Sequence, residues 1–238
     1  MLVGAVGCTP PTPAPPRPQP SAPDRVQAGP LLDRTGAWLT VSDAASRVRV
    51  ETATLPGLLY RISTEPDAGV APVVTRRGGR VVVGLRGTGG DGLDEVRIVL
   101  NRDVRWGIAL PDGAGEQQVN LRHGRVERLD LGTSGLAEVW LPAPDGTVTV
   151  TFTGGIGTAV LAADTDAPFR LRFDQGAGSV TTPWTANNGT AAGRVLREPG
   201  YRGTRDRYSV RARSGVGSLE LRRLATTADE RRLGTPEG

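Results

Sequence analysis

The chain has 238 residues, 37% of them hydrophobic and 4% aromatic, with a net charge of +4, a composition for one globular domain plus a tail or two small units. A single cysteine, Cys8, excludes an internal disulfide and a thiolate metal cluster, and no apolar run reaches the roughly 18 residues of a membrane-spanning helix. All 29 basic residues are arginine, and the absence of aromatic interleaving or a recognition motif argues against a nucleic-acid partner.

The N-terminal residues Ala5-Val6-Gly7-Cys8 resemble the lipobox of a bacterial lipoprotein signal. Ala5 stands where that signal usually carries leucine, and no basic residue precedes it. The resemblance implies that residues 1–7 are a signal-peptide remnant and that Cys8 is the site of lipid attachment, holding the protein to the outer face of the cytoplasmic membrane. From Thr9 to Gly29 there are eight prolines in 21 residues. Proline fixes φ and lacks an N–H donor, so residues 8–30 read as an extended linker.

From about residue 31 the character changes to short alternating runs broken by Gly, Asp and Asn: RVRVETAT (47–54), RVVVGLR (80–86), TVTVTFT (147–153), FRLRF (169–173). In the last, Phe169, Leu171 and Phe173 share one face and Arg170 and Arg172 the other, the period-2 pattern of a half-buried strand. Turn signals fall at Gly78-Gly79, Asp112-Gly113, Asp145-Gly146 and Asn188-Gly189. No helical stripe of 10 or more residues interrupts them, so the class is all-β.

A repeat runs through the second part. GAGEQQVNL, TSGLAEVWL, GIGTAVLA, GAGSVTT and GVGSLEL each set a glycine turn before an apolar alternation, anchored at Val119, Val139, Val160, Val180 and Leu219. A partner strand begins shortly before each. A two-strand unit of about 20 residues is the mark of a β-solenoid, in which each coil buries its apolar face only by stacking on the next. The expectation is a single-domain solenoid over residues 31–224, with capping strands in 31–105 and repeats in 106–224, Pro183–Arg207 as a degenerate coil with a long loop, and a disordered tail at 225–238.

The glycine-turn-and-strand pattern, ending in DRYSVRARSGVGSLELRR (206–223), resembles the bacterial putative-adhesin β-solenoid domains. These are related to the toast-rack domains and to the C-terminal domain of LiaF-type envelope-stress regulators. The resemblance implies a right-handed or meandering solenoid, an extracytoplasmic location and no enzymatic reaction. It transfers no catalytic residue.

Candidate chemistry is sparse. Gly87, Gly89 and Gly92 match a dinucleotide fingerprint, but a strand pattern follows where the phosphate-holding helix should be. His123 is the lone histidine and reads as a surface residue, without the partners of a zinc site or a nucleophile triad. Asp164 and Asp166 offer too few ligands for calcium. No cofactor or metal is expected. A carbohydrate-active β-helix enzyme is the alternative reading, with Glu127, Asp130 and Glu138 as paired carboxylates and Trp106, Trp140 and Trp184 as sugar platforms.

Residues 194–223 carry nine arginines against three acids, a local balance of +6. Within them Arg205, Arg207, Arg211 and Arg213 form a candidate face for an anionic ligand, a wall polymer or phospholipid headgroups. A charged edge strand guarding against aggregation accounts for the same row without a ligand. Stacking of solenoid ends into a homo-oligomer is a further expectation. The functional reading is a non-enzymatic envelope lipoprotein for adhesion, scaffolding or envelope sensing.

Overall fold

A computed structural model describes residues 24–224; Cys8, most of the proline-rich linker and the tail lie outside them. All 19 elements are strands, arranged in one nine-stranded and one ten-stranded sheet. Seven two-strand coils make the body. In chain order they are β2 (Gly36–Val41) with β3 (Ala45–Ala53), β6 (Arg80–Gly87) with β7 (Glu95–Asn101), and β8 (Arg105–Leu110) with β9 (Ala114–Asn120). Then follow β10 (Arg125–Leu131) with β11 (Ser134–Leu141), β12 (Thr147–Phe152) with β13 (Ile156–Ala163), β14 (Phe169–Phe173) with β15 (Ala177–Thr182), and β18 (Arg207–Ala212) with β19 (Val216–Arg223).

The first strand of each coil lies in the nine-stranded sheet and the second in the ten-stranded sheet, all paired in parallel with their neighbours. This is a β-solenoid. Its ends are closed by antiparallel strands: β1 (Val26–Pro30) and β4 (Leu58–Thr64) beyond β7, β5 (Val70–Arg77) beyond β6, β16 (Thr185–Thr190) beyond β15, and β17 (Val195–Arg197) beyond β14. Ten strands at about 4.8 Å spacing make the stack on the order of 45 Å long.

Alternation builds the core. Inward residues of the nine-stranded sheet align across coils as Val81, Leu39, Ile108, Leu129, Val150, Val210 and Leu171. The facing column of the ten-stranded sheet runs Ile98, Val50, Val119, Val139, Leu161 and Leu221. All are buried, and each such side chain stabilises by roughly 1.5–3 kcal/mol. One polar residue, Gln117, stands in the next inward column, its Nε2 donating to the carbonyls of Gly132 and Thr133.

The glycines of the repeat act at the corners by close approach. Gly115, Gly135, Gly157, Gly217 and Gly178 occupy successive strands; a Cβ on Gly157 would lie 2.6 Å from the Gly135 carbonyl oxygen, and one on Gly217 2.4 Å from that of Gly157. Backbone cannot give way as a side chain does. Gly217→Ala is therefore expected to lower stability by about 1–3 kcal/mol in a denaturant melt. Gly215→Ala two residues earlier, where a Cβ meets nothing within 4 Å, should change it by no more than about 0.5 kcal/mol.

The structure corrects three readings of the sequence. First, coils do not stack in chain order. The β2–β3 coil sits between β6–β7 and β8–β9, and the last coil, β18–β19, is inserted between β12–β13 and β14–β15. Residues 31–105 therefore supply two full coils as well as caps, and their register was hidden because sequence neighbours are not spatial neighbours. Second, Val160 is not a core anchor: it points outward, and Ala159 and Leu161 fill the inward positions. Third, β1 occupies residues assigned to the linker. Pairing with β4 recruits Val26–Pro30 into the sheet, and Arg25 fastens it by donating to the carbonyls of Ala68 and Val70.

Pro183–Arg207 does carry the expected break in the repeat. Its strands β16 and β17 run antiparallel and close the end beyond β14 and β15. Asn188-Gly189 lies within β16 rather than at a turn, with Gly189 at φ +82°.

Candidate functional site

The arginine row belongs to the outer face of the nine-stranded sheet. In β18 the residues Tyr208, Val210 and Ala212 point inward, which sends Arg207, Ser209 and Arg211 outward. Arg213 follows directly after the strand on the same parity, while Arg205 lies in the exposed loop before it. β18 is not an edge strand. It is hydrogen-bonded on both sides, to β12 and to β14, so protection of an edge does not explain its arginines.

Parity on the neighbouring strands enlarges the group. Arg170 and Arg172 of β14 face outward beside Ser209 and Arg211, and Arg197 of β17 stands directly opposite Arg170. Five arginines thus project from β14, β17 and β18, with one carboxylate among the described residues, Asp174, close enough to pair with any of them. Asp174 accepts from Arg172 Nε and Arg211 Nε, each at 2.7 Å, and these two bonds hold its carboxyl below the usual carboxylate range. Arg207 lies over the Tyr201 ring, 5.1 Å from its centroid, and donates to Thr147 Oγ1.

Arg170 and Arg197 make no ion pair among the described residues, although they share a cross-strand position. Like charges directly opposite each other in a sheet are destabilising unless something neutralises them. The nearby acids are already engaged: Glu198 holds Arg223 at 2.7 Å and the Phe169 N–H at 2.9 Å, and Asp206 holds the Gly146 N–H. Unpaired guanidinium forks beside the hydroxyls of Thr149 and Ser209 form an arrangement suited to phosphate, sulfate or carboxylate.

The opposite face is built differently. On the ten-stranded sheet the outward charges are Arg47, Arg49, Arg61, Arg97 and Arg222 against Glu51, Glu95, Glu116, Glu138 and Glu220, an even balance. They are interlocked, as in Arg47 to Glu95 and Glu116, or Arg97 to Glu51. The positive excess therefore lies off this face; at the far end of the nine-stranded sheet Arg77 of β5 also stands opposite Arg80 of β6 without an ion pair among the described residues.

The other candidates separate. Glu127 and Asp130 lie on β10 in one sheet and Glu138 on β11 in the other, so the trio proposed for glycoside chemistry is not brought together. Trp106 is fully buried and donates to the Asn101 carbonyl, so it is core and no sugar platform. Trp184 packs partly against the core in a turn, and Trp140 faces outward from β11. His123 is exposed in a turn.

Gly87, Gly89 and Gly92 span the connection from β6 into strand β7, where a Cβ on Gly92 would meet the Asp67 carbonyl at 2.8 Å, a packing role. Asp164 and Asp166 share a loop, and no group of three or more His, Cys, Asp or Glu is placed to hold a metal ion among the described residues. The sequence reading missed Trp38, whose ring lies over Gly107 with 40% of the residue exposed. Its outward parity between Ala37 and Leu39 was the available signal.

These features define a class: an all-β solenoid with an arginine-rich outer corner and no assembled catalytic group among the described residues. No family model matches the chain, and no curated protein matches it. A solved structure described as a "putative cell adhesion protein" from Clostridium sporogenes ATCC 15579 has a similar fold, with TM-score 0.60 and 14% identity over 83% of this chain and 98% of that one. Structures described as "putative adhesins" from Bacteroides fragilis NCTC 9343 and Parabacteroides merdae ATCC 43184 share 9% identity at TM-scores of 0.25 and 0.24. They cover 84% and 83% of this chain, and 99% and 97% of their own. At 14% identity the likeness to the Clostridium sporogenes structure is one of fold alone.

Proposed function

We propose that the protein is a non-enzymatic, adhesin-like lipoprotein of the cell envelope, held by lipid on Cys8 and binding an anionic envelope polymer through the arginine corner. The observation that carries the reading is the uncompensated Arg170–Arg197 pair within a face of five outward arginines and one carboxylate. A polymer bearing phosphate or carboxylate groups at regular intervals supplies the missing counter-charges and engages several strands at once.

Residues preceding β1 join at the end closed by β1 and β4, whereas the arginine corner stands near the opposite end, closed by β16 and β17. Two or more acyl chains on a lipid anchor suffice for durable attachment where one is marginal.

Fractionation of a bacterial host expressing the gene tests the anchoring. The expected result is a membrane-bound protein carrying a diacylglyceryl mass on Cys8, released to the soluble fraction by Cys8→Ala. An unmodified Cys8 on a soluble wild-type protein would overturn it.

A further inference from the structure

The balanced face of the ten-stranded sheet has a site of its own. Across β7, β3, β9 and β11 the outward residues fall in two rows: Arg97, Arg49, Gln118 and Glu138, then Val99, Glu51, Asn120 and Trp140. Gln118 and the shorter Asn120 lie between Arg49, Glu51 and Arg97 on one side and the Trp140 indole on the other. The result is an open cleft of about 240 Å³ lined by these six side chains and Val50.

The two rows carry no net charge, Arg49 and Arg97 against Glu51 and Glu138, and the lining is suited to hydrogen bonding. Arg97 gives Nε and Nη2 to Glu51 Oε1, and Arg49 Nε lies 3.4 Å from Glu95. Gln118 Nε2 is used by Glu116 and Asn120 Oδ1 accepts from Arg122. That leaves Gln118 Oε1, Asn120 Nδ2, Glu51 Oε2, the Arg49 guanidinium and Arg97 Nη1 without hydrogen-bond partners among the described residues. Donors and acceptors therefore alternate on planar groups within one cleft, beside an aromatic wall.

We propose that this cleft is a saccharide subsite that takes an uncharged hexopyranose residue of a polysaccharide. Vicinal hydroxyls each both donate and accept, which matches paired amide and carboxylate groups. The C–H face of a pyranose is apolar and packs on an indole, burying area that neither a small ion nor a peptide backbone offers. Across the two rows Arg49 and Arg97 are balanced by Glu51 and Glu138, so the site has no net charge to select an anion. At this volume, below the roughly 300 Å³ where sites for drug-sized ligands begin, it holds a single ring. Binding to one ring is weak, and recurrence of that ring along a polymer, with several anchored copies of the protein, provides the avidity. The subsite lies on the opposite face from the arginine corner and does not rest on it.

Affinity electrophoresis of the full chain through gels containing neutral polysaccharides tests the proposal, with dextran, galactomannan, xyloglucan and a β-1,3-glucan as probes. The expected result is retardation by at least one of them, reduced about tenfold or more in Trp140→Ala and in the double variant Gln118→Ala/Asn120→Ala. The retardation should persist from about 0.05 to about 0.5 M salt, because no charge drives it. Arg170→Glu/Arg197→Glu should leave it unchanged, which separates this site from the polyanion face. Melting curves identify any variant that fails to fold, and the outward-facing double variant keeps the test open if Trp140→Ala is one. Absence of retardation by every probe, retention of binding in a folded Trp140→Ala, or loss of binding with salt would each overturn the assignment.

Discussion

Replacing Tyr208 by alanine is expected to destabilise the protein by about 3–5 kcal/mol in equilibrium denaturation, the range for removing a large buried aromatic. Tyr208 is the second residue of β18, in the last coil in sequence, which is inserted between two earlier ones. Its fully buried ring stacks on Phe169 at a centroid distance of 4.3 Å and an interplanar angle of 21°. Its hydroxyl donates to the Pro142 carbonyl at 2.7 Å and lies 3.2 Å from Thr165 Oγ1, joining the connections on both sides of the insertion. Arg223 adds a lid over Phe169 at 5.0 Å and pairs with Glu198. Tyr208→Phe keeps the ring but strands a buried carbonyl, and should cost about 1–3 kcal/mol. If Tyr208→Ala costs less than about 1 kcal/mol, the inserted coil does not hold the end of the stack together.

The sequence made the class and coil composition legible because period-2 alternation is a local property. FRLRF states its own parity, and the structure keeps Phe169, Leu171 and Phe173 inside and Arg170 and Arg172 outside. The order of coils is not local. Nothing between Val180 and Leu219 says that Leu219 will lie between Ala159 and Val180, and the near-doubled spacing of that step was the trace of the insertion. The Val160 anchor failed for a related reason: a one-residue shift exchanges the faces of a strand, and GIGTAVLA offers apolar residues at both parities.

The candidate site was legible only in part. Arg207 and Arg211 were visible as an alternation within one strand. Their partnership with Arg170, Arg172 and Arg197 depends on β14 and β17 pairing beside β18, which follows from the inserted coil. Trp140 was visible as an aromatic, but its neighbours Glu51, Arg97, Gln118 and Asn120 come from three other strands and were not.

The larger functional effect is expected at the arginine corner. Arg170→Glu/Arg197→Glu changes the charge by four units at two outward positions that make no ion pair among the described residues and contribute nothing to the core. Such a reversal turns attraction for a polyanion into repulsion while leaving the melting temperature nearly unaltered. Arg61→Glu/Arg222→Glu makes the same change in net charge on the opposite face and serves as its match. If only total charge mattered, the two variants would behave alike.

The most direct measurement is equilibrium binding of the full chain and these two variants to a linear polyphosphate and to polygalacturonate, at salt concentrations from about 0.05 to about 0.3 M. The account predicts binding to at least one of the polymers that weakens with salt, falls at least about tenfold in Arg170→Glu/Arg197→Glu, and is nearly retained in Arg61→Glu/Arg222→Glu. Equal losses in the two variants, or no binding by the wild-type chain, would contradict it.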